Sequence, residues 1–340
     1  MTMNDNVRTP ATTTAEVRTV AVTSGGQRLD RTLADALGDL SRSRLKVLIE
    51  SGAVSLEGTP VREPSRKVRA GETFRVDLPD PTPAEPAAQA IPLTILYEDN
   101  DVIVIDKPAG LVVHPAPGNP DRTLVNALIA HCGPEFGNDS LTGIGGVRRP
   151  GIVHRLDKDT SGVMVAAKNA VAHAALTAQF AARSTGRSYL ALTHGVPRPA
   201  KGRIEGNIGR SSRNRKKMAV VGRGGKPAIT HYETQARYGD PAEPLASLLR
   251  CRLETGRTHQ IRVHLAHIGH PLVGDPQYGR RMRRTKAANA EAVAMLNEFS
   301  RQALHAETLA FDHPSRPDRL EFSAIIPPDF RALIRFLESI

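Results

Sequence analysis

Five prolines between residues 79 and 92 (Pro79, Pro81, Pro83, Pro86 and Pro92) constrain this chain more than any other feature. Each proline lacks a backbone donor and disfavours helix at the residue before it, so no regular helix or central strand is expected to run through the segment. Alanines fill the gaps and large apolar side chains are few. The stretch reads as a semi-rigid extended linker, placed at residues 80–91. The 340 residues therefore divide into a small N-terminal unit and a larger C-terminal one.

Residues 26–79 carry the pattern of a compact α+β module. Leu29, Leu33, Leu37 and Leu40 recur at helical spacing, and Leu45, Leu48 and Ile49 give a second helix an apolar face behind a Ser41 or Ser43 cap. Gly52 supplies the stop, Ala53–Leu56 a short strand, and Phe74, Val76 and Leu78 alternate as a last strand. Basic residues cluster at Arg42, Arg44 and Lys46 and again at Arg62, Arg66, Lys67 and Arg69. Acids elsewhere nearly balance them, so their placement rather than bulk charge is the argument for RNA contact. Ahead of this module, residues 1–19 are Thr-rich, without an apolar stretch of signal-peptide length, and are expected to be a disordered tail.

From residue 92 to 340, short strand signals outnumber helices and do not alternate with them. Strands are expected at Val102–Ile105 and Tyr189–Leu192, and helices at 124–130, 171–182, 287–303 and around Leu333–Leu337. That order favours an α+β unit with a mixed, largely antiparallel sheet over a doubly wound parallel one. The net charge of +11 points to a polyanionic partner. Aromatics at 4% with no Trp argue against rows of base-stacking rings, leaving phosphate contacts and stacked arginines. No acid interrupts the run that carries Arg210, Arg213, Arg215, Lys216, Lys217, Arg223 and Lys226, which reads as a phosphate-contacting arm, and Arg280–Lys286 reads as a second basic patch. Cys132 and Cys251 form no metal or disulfide pattern, so a reducing, cytoplasmic setting is expected. No run is apolar enough to span a membrane. His264, His267 and His270 are spaced by three but lack partner ligands, so no metal is expected and a place beside an RNA groove is the better reading.

The stretch Gly151–Gly162, G-I-V-H-R-L-D-K-D-T-S-G, puts Arg155, Asp157, Lys158 and Asp159 in one loop between two apolar runs. Spacing alone does not choose between Asp157 and Asp159 as a carboxylate held among cations and available as a nucleophile. The motif resembles the catalytic motif of the bacterial RNA pseudouridine synthases that modify large-subunit ribosomal RNA. Tyr97–Pro115, Arg187–Gly195 and Leu253–Gly279 extend that resemblance, and residues 26–79 resemble the S4 RNA-binding domain.

The resemblance implies isomerisation of uridines in 23S ribosomal RNA, free or in a large-subunit precursor. Such a reaction oxidises nothing and releases no group from the RNA, so no cofactor or metal is expected, and a monomer is the default expectation. It assigns catalysis to Asp157, leaving Asp159 to order the loop through backbone hydrogen bonds. It places Tyr189 against the target uracil and pairs Arg262 with the catalytic carboxylate. Arg155 would help extrude the base and fill the vacated stack. RNA contacts are assigned to Arg42, Arg44 and Lys46 in the N-terminal module and to Arg213, Arg215, Lys216 and Lys217 in the arm. Two other functions compete. A non-catalytic S4-type ribosome assembly factor would not need Asp157, Tyr189 and Arg262 together. A glycosidase would need a second carboxylate, and the basic surface disfavours a carbohydrate substrate.

Overall fold

The computed structural model describes residues 16–38, 40, 42–78, 86–116, 118–133, 136, 151–281 and 290–340. They form two compact units, one on each side of residues 79–85. The first runs β1 (Glu16–Ala21), α1 (Leu29–Ala36), α2 (Arg42–Ser51), β2 (Val54–Leu56), β3 (Thr59–Pro60) and β4 (Thr73–Leu78). Its antiparallel sheet has the order β1-β4-β2-β3.

Leu29, Leu33, Leu45, Leu48, Ile49, Phe74 and Val76 form the core of this unit, with α1 and α2 closing over the sheet. α1 stops at Ala36, so Leu37 and Leu40 pack against the core from beyond the helix. Glu16–Thr19 correct the tail expected over residues 1–19: they pair in β1 with Arg75–Leu78 of β4, and residues 1–15 lie outside the described residues. The alternation of Val20 and Val22, both buried, carries the signal for that strand.

The second unit runs β5 (Thr94–Glu98), β6 (Val102–Lys107), α3 (Leu124–Cys132), β7 (Ser161–Ala167), α4 (Ala170–Ala182), β8 (Gly186–His194), β9 (Lys201–Arg210) and β10 (Met218–Val221). It continues through β11 (Lys226–Gly239), β12 (Pro244–Leu253), α5 (Gln260–His267), α6 (Ala290–Glu298), β13 (Leu304–Asp312), β14 (Arg319–Ser323) and α7 (Pro328–Glu338). One ten-stranded sheet, β10-β9-β11-β12-β8-β13-β7-β6-β5 with β14 on β13, organises it. Among the described residues only β13 and β7 pair in parallel; the other pairings are antiparallel, as the irregular order of strand and helix signals led us to expect.

Residues 86–91 do not behave as a free linker. Asn126 at the start of α3 donates to the Ala87 carbonyl at 2.8 Å, and its own carbonyl accepts the Gln89 N–H at 3.0 Å. The helix expected over 287–303 ends at Glu298, and Ala303 already exchanges backbone bonds with Val273 and with Leu192 of the interior strand β8. No helix among the described residues is long and apolar enough to cross a membrane.

β7 begins where the conspicuous loop ends, and Gly162 explains the last letter of that motif. Its φ is +116°, and a Cβ there would lie 2.1 Å from the Ala306 carbonyl oxygen on the parallel neighbour β13. The close approach of β13 thus requires glycine. Gly162→Ala is expected to destabilise the protein by about 2–4 kcal/mol, read as a lower urea midpoint; an unchanged midpoint would mean that β13 yields at no cost.

Candidate active site

The loop before β7 is braced from below. Leu156 is buried in the main core cluster together with Tyr189 and Ile261. The Thr160 N–H closes a turn on the Asp157 carbonyl at 3.1 Å. Lys107, at the end of β6, has no exposed surface, and its ammonium donates to the carbonyls of Pro108, Leu111 and Lys158 at 2.8, 2.9 and 3.0 Å. Burial pushes the Lys107 ammonium down to about 7, opposed by the nearby Asp159 and Asp157 carboxylates. Arg301 donates to the Asp159 carbonyl at 3.1 Å, and the Gln302 amide to the Thr160 hydroxyl at 3.1 Å. Asp159 therefore joins the bracing through its backbone.

The histidine of the motif is structural. His154 accepts the Val165 N–H on Nε2 at 3.1 Å and stacks on Phe180 at 4.6 Å. Burial, with the Arg187 cation adding to it, drives its pKa down to about 3, so the ring stays neutral.

Above this base, α5 delivers Arg262. The helix start is fastened by Gln260, whose amide donates to the Ile229 carbonyl and the Thr230 hydroxyl of β11 at 2.9 and 3.0 Å. Its side-chain oxygen accepts from Thr255 and from the Arg257 N–H. Arg262 is 5% exposed. It donates from Nε and Nη2 to the two oxygens of the fully buried Asp275 carboxylate at 2.7 and 2.9 Å, and from Nη1 to Asp157 Oδ2 at 2.9 Å. Its guanidinium lies 5.0 Å from the centre of the Tyr278 ring. Burial alone would lower the guanidinium pKa, but the Asp275 pair and Asp157 together raise it. Burial likewise opposes ionisation of Asp275, and Arg262 with the Tyr278 and Gln277 N–H groups overcomes it. Asp157 thus keeps one oxygen, Oδ1, outside the Arg262 contact, facing His259 Nε2 at 3.8 Å.

Tyr189 sits on β8 between Cys251 of β12 and Ala306 of β13 and is 7% exposed. Burial raises its phenol pKa; Arg187 opposes the shift and the Asp157 carboxylate adds to it. Arg155 is exposed on the rim of the loop.

Other expectations fare unevenly. Arg213, Arg215 and Lys216 are exposed on the turn between β9 and β10. Lys217 is half-buried, donates to the Gln277 carbonyl and lies over the Tyr278 ring, so it fastens the arm to the active-site loop. In the first unit Arg42 is held by the buried Asp30 at 2.9 Å and Lys46 lies 3.5 Å from Glu50, while Arg44 is exposed. His264 is wholly buried against the Thr230 hydroxyl, so it cannot line an RNA groove; His270 turns to the His194 carbonyl. Of the second basic patch, Arg280 and Arg281 are exposed and Arg283, Arg284 and Lys286 lie outside the described residues.

Among the described residues, two clusters offer ligand-type atoms, Glu98–His131–Cys132 and Asp99–Asp101–His313. Lys168 and His131 occupy Glu98, and Tyr97, His313 and Arg316 occupy Asp99, so resident cations already compensate both sets of acids. Lys107, Asp275, His259 and Tyr278 are the residues that sequence reasoning missed. All four stand inside the segments that resemble the family, but nothing local shows that they meet the Asp157 loop.

Comparison with known proteins matches this geometry. Residues 101–267 fit the family model described as RNA pseudouridylate synthase, and residues 27–74 fit the S4 domain. A Zymomonas mobilis protein named ribosomal large subunit pseudouridine synthase D is 51% identical over 92% of this chain and 94% of its own length. This chain belongs to the RNA pseudouridylate synthase family. A Xanthomonas campestris protein of the same name is 45% identical over 98% of this chain and 96% of its own. The solved structure of human RNA pseudouridylate synthase domain containing 4 superposes with a TM-score of 0.52 at 25% identity, covering 72% of this chain and 93% of that one. The protein is therefore an isomerase, an RNA pseudouridine synthase with an S4 domain.

Arg262→Met is expected to cost about 3–5 kcal/mol, because it strands the buried Asp275 charge. Arg262→Lys should cost less but release Asp157 Oδ2, since one ammonium cannot reproduce the forked contact. Urea midpoints for both variants check this, and a Met variant as stable as wild type would show that Asp275 takes up a proton instead.

Proposed function

We propose that this pseudouridine synthase modifies uridines of 23S ribosomal RNA, and that Asp157 is its catalytic residue. The ion pair of Asp157 with a buried Arg262 carries the reading. It keeps one carboxylate oxygen fixed and leaves the other outside that contact, on the more open side of the pair. The choice of RNA rests on the relatives whose names specify the large ribosomal subunit, together with the S4 domain and the net charge of +11.

The reaction breaks the bond from uracil N1 to ribose C1′, turns the base and joins C5 to C1′. Reactants and product are isomers, so the overall change needs no oxidant and no group donor. Attack at C1′, addition at C6 and assistance to glycal formation all start from an oriented carboxylate, and the Arg262 contact holds Asp157 in place for it. Tyr189, its phenol kept neutral by burial, presents a flat face to the uracil and a hydroxyl near the migrating proton. Arg155, exposed two residues before Asp157, would enter the stack that the flipped uridine leaves. Arg42, Arg44 and Lys46, with Arg213, Arg215 and Lys216, would neutralise phosphates, and Lys217 would hold the arm in place. We assign the protein to the cytoplasm as a monomer acting on rRNA or a large-subunit precursor; the free thiols of Cys132 and Cys251 suit a reducing compartment.

Asp157→Asn is expected to cut single-turnover pseudouridine formation on 23S rRNA by at least ~10²-fold while leaving RNA affinity near wild type. Normal yield would remove Asp157 from the mechanism, and an inactive Asp159→Asn beside it would move catalysis to the neighbour.

Arg155→Ala should lose most of its rate on a closed hairpin and less on a loosened loop that carries the same uridine. Equal loss on both would place Arg155 in the chemistry rather than in flipping. Replacing Arg213, Arg215 and Lys216 together by Ala should reduce the salt dependence of binding, by about 0.7 in log–log slope for each phosphate no longer neutralised; an unchanged slope would put the arm outside the interface.

A further inference from the structure

We propose that His259 and Tyr278 form a positioning pair for Asp157: the Tyr278 hydroxyl fixes the tautomer of His259, which then presents a donor to the carboxylate oxygen that Arg262 leaves open. The inference rests on the reading of Asp157 as the catalytic residue and adds a second support to it.

The hydrogen bonds set the tautomer. Met218 donates its N–H to the Tyr278 hydroxyl oxygen at 3.0 Å, which leaves the phenol proton for His259 Nδ1 at 2.8 Å. A neutral imidazole that accepts at Nδ1 carries its proton on Nε2. That nitrogen faces Asp157 Oδ1 at 3.8 Å. The opposite tautomer would compete with Met218 for the phenol oxygen and aim a lone pair at a carboxylate. Both ends of the ring therefore favour the same arrangement. The 3.8 Å separation exceeds a formed hydrogen bond, and a donor role for His259 requires it to shorten when substrate is seated.

The backbone gives an independent sign. His259 caps α5 with φ +56°, a left-handed conformation that costs a non-glycine residue about 1 kcal/mol or more. Its surroundings hold it there. The Val263 N–H bonds the His259 carbonyl at 2.9 Å, and the next residue is the anchored Gln260. Strain kept by such fixed neighbours, with the imidazole turned to the carboxylate, fits a functional position. The pair is also tied to the basic arm. Met218 follows Lys217, whose ammonium bonds the Gln277 carbonyl, and the Gln277 side chain donates to the Lys216 carbonyl at 3.2 Å. Phosphates on the arm and the carboxylate in the site thus share Tyr278 as a common support.

Tyr278→Phe tests the pair with the ring kept beside Arg262 and only the hydroxyl removed. His259→Leu removes the donor from the other end, and His259→Gln restores an amide donor. The measurements are the single-turnover rate constant at saturating RNA from about pH 5 to 9, the RNA Kd, and the urea midpoint. Tyr278→Phe and His259→Leu should each lower the rate constant about tenfold with Kd within about twofold, and His259→Gln should recover part of the loss.

The pH profile separates positioning from packing. Asp157 and Arg155 face the imidazole from the loop, Arg262 from α5, and Asp275 and Tyr278 from the segment after it. Protonation of His259 would tie up Asp157 Oδ1 in a second ion pair, so the rate falls on the acid side. Loss of the phenol proton leaves Nδ1 free to accept a solvent proton, and the acid limb should move to higher pH in Tyr278→Phe. Wild-type rates and an unmoved acid limb in both Tyr278→Phe and His259→Leu would overturn the proposal, as would a loss seen in Kd alone. The two substitutions reach one bond from opposite ends, so a lowered urea midpoint in one leaves the other as the test. Asp157→Asn run beside them tells the two failures apart: activity there removes the catalytic reading itself, whereas an inactive Asp157→Asn beside wild-type Tyr278→Phe and His259→Leu removes only the positioning pair.

Discussion

A guanidinium buried between two carboxylates sets the terms for the rest of the catalytic unit. Arg262 gives two of its donors to Asp275 and one to Asp157, with only 5% of its surface exposed. Taking such charges out of water costs several kcal/mol per ion unless geometry and further hydrogen bonds compensate. The compensation is on hand: Asp275 also accepts the Gln277 and Tyr278 N–H groups, and Tyr278 lays its ring beside the guanidinium. With Asp275 neutralising Arg262 on one side, the arginine orients Asp157 on the other. Asp157 is the most exposed member of the three, with 15% of its side-chain surface open. That gradient, from sealed Asp275 to open Asp157, directs the charge toward where substrate would sit.

Such a site works only if the loop carrying Asp157 does not drift, and the bracing is correspondingly heavy. Lys107 spends a buried ammonium on three carbonyls, and Arg301 and Gln302 hold the far side of the turn. Leu156 anchors the loop in the core, and His154 ties its start to β7 as a neutral acceptor. Gly162 lets β13 close in behind. Much of the motif is thus concerned with holding Asp157, and Arg155 is the member exposed beside it. This division answers the competing functions. An assembly factor that only binds RNA has no use for a carboxylate positioned at this cost. A glycosidase would act on carbohydrate, for which the net charge of +11 and the S4 domain are poorly suited.

What the sequence by itself determined was local. Apolar periodicity placed the two helices of the first unit and α7, and continuous apolar runs placed β6 and β8, which are buried on both faces over most of their length; α3 and α4 were likewise legible. Proline chemistry put a break between the units, though Pro86 to Ile91 turned out to lie on α3, held by Asn126, a contact no composition can announce. The dense polar loop and its family resemblance named Asp157, Tyr189 and Arg262. Between Asp157 and Asp159 the residues alone offered no choice, since both are carboxylates in one loop among the same cations.

Tertiary structure decided the rest, because the deciding contacts join residues far apart in the chain. Arg262 reaches Asp157 across 105 positions and Arg301 reaches the Asp159 carbonyl across 142. Lys217 looked like one more free cation of the arm until the fold set it against Gln277 and Tyr278. His264 looked available to RNA until β11 covered it. Local pattern fixes which side chains can leave water and with what period. Which charge a buried charge meets depends on how strands distant in sequence are ordered in one sheet, and only the folded chain sets that order.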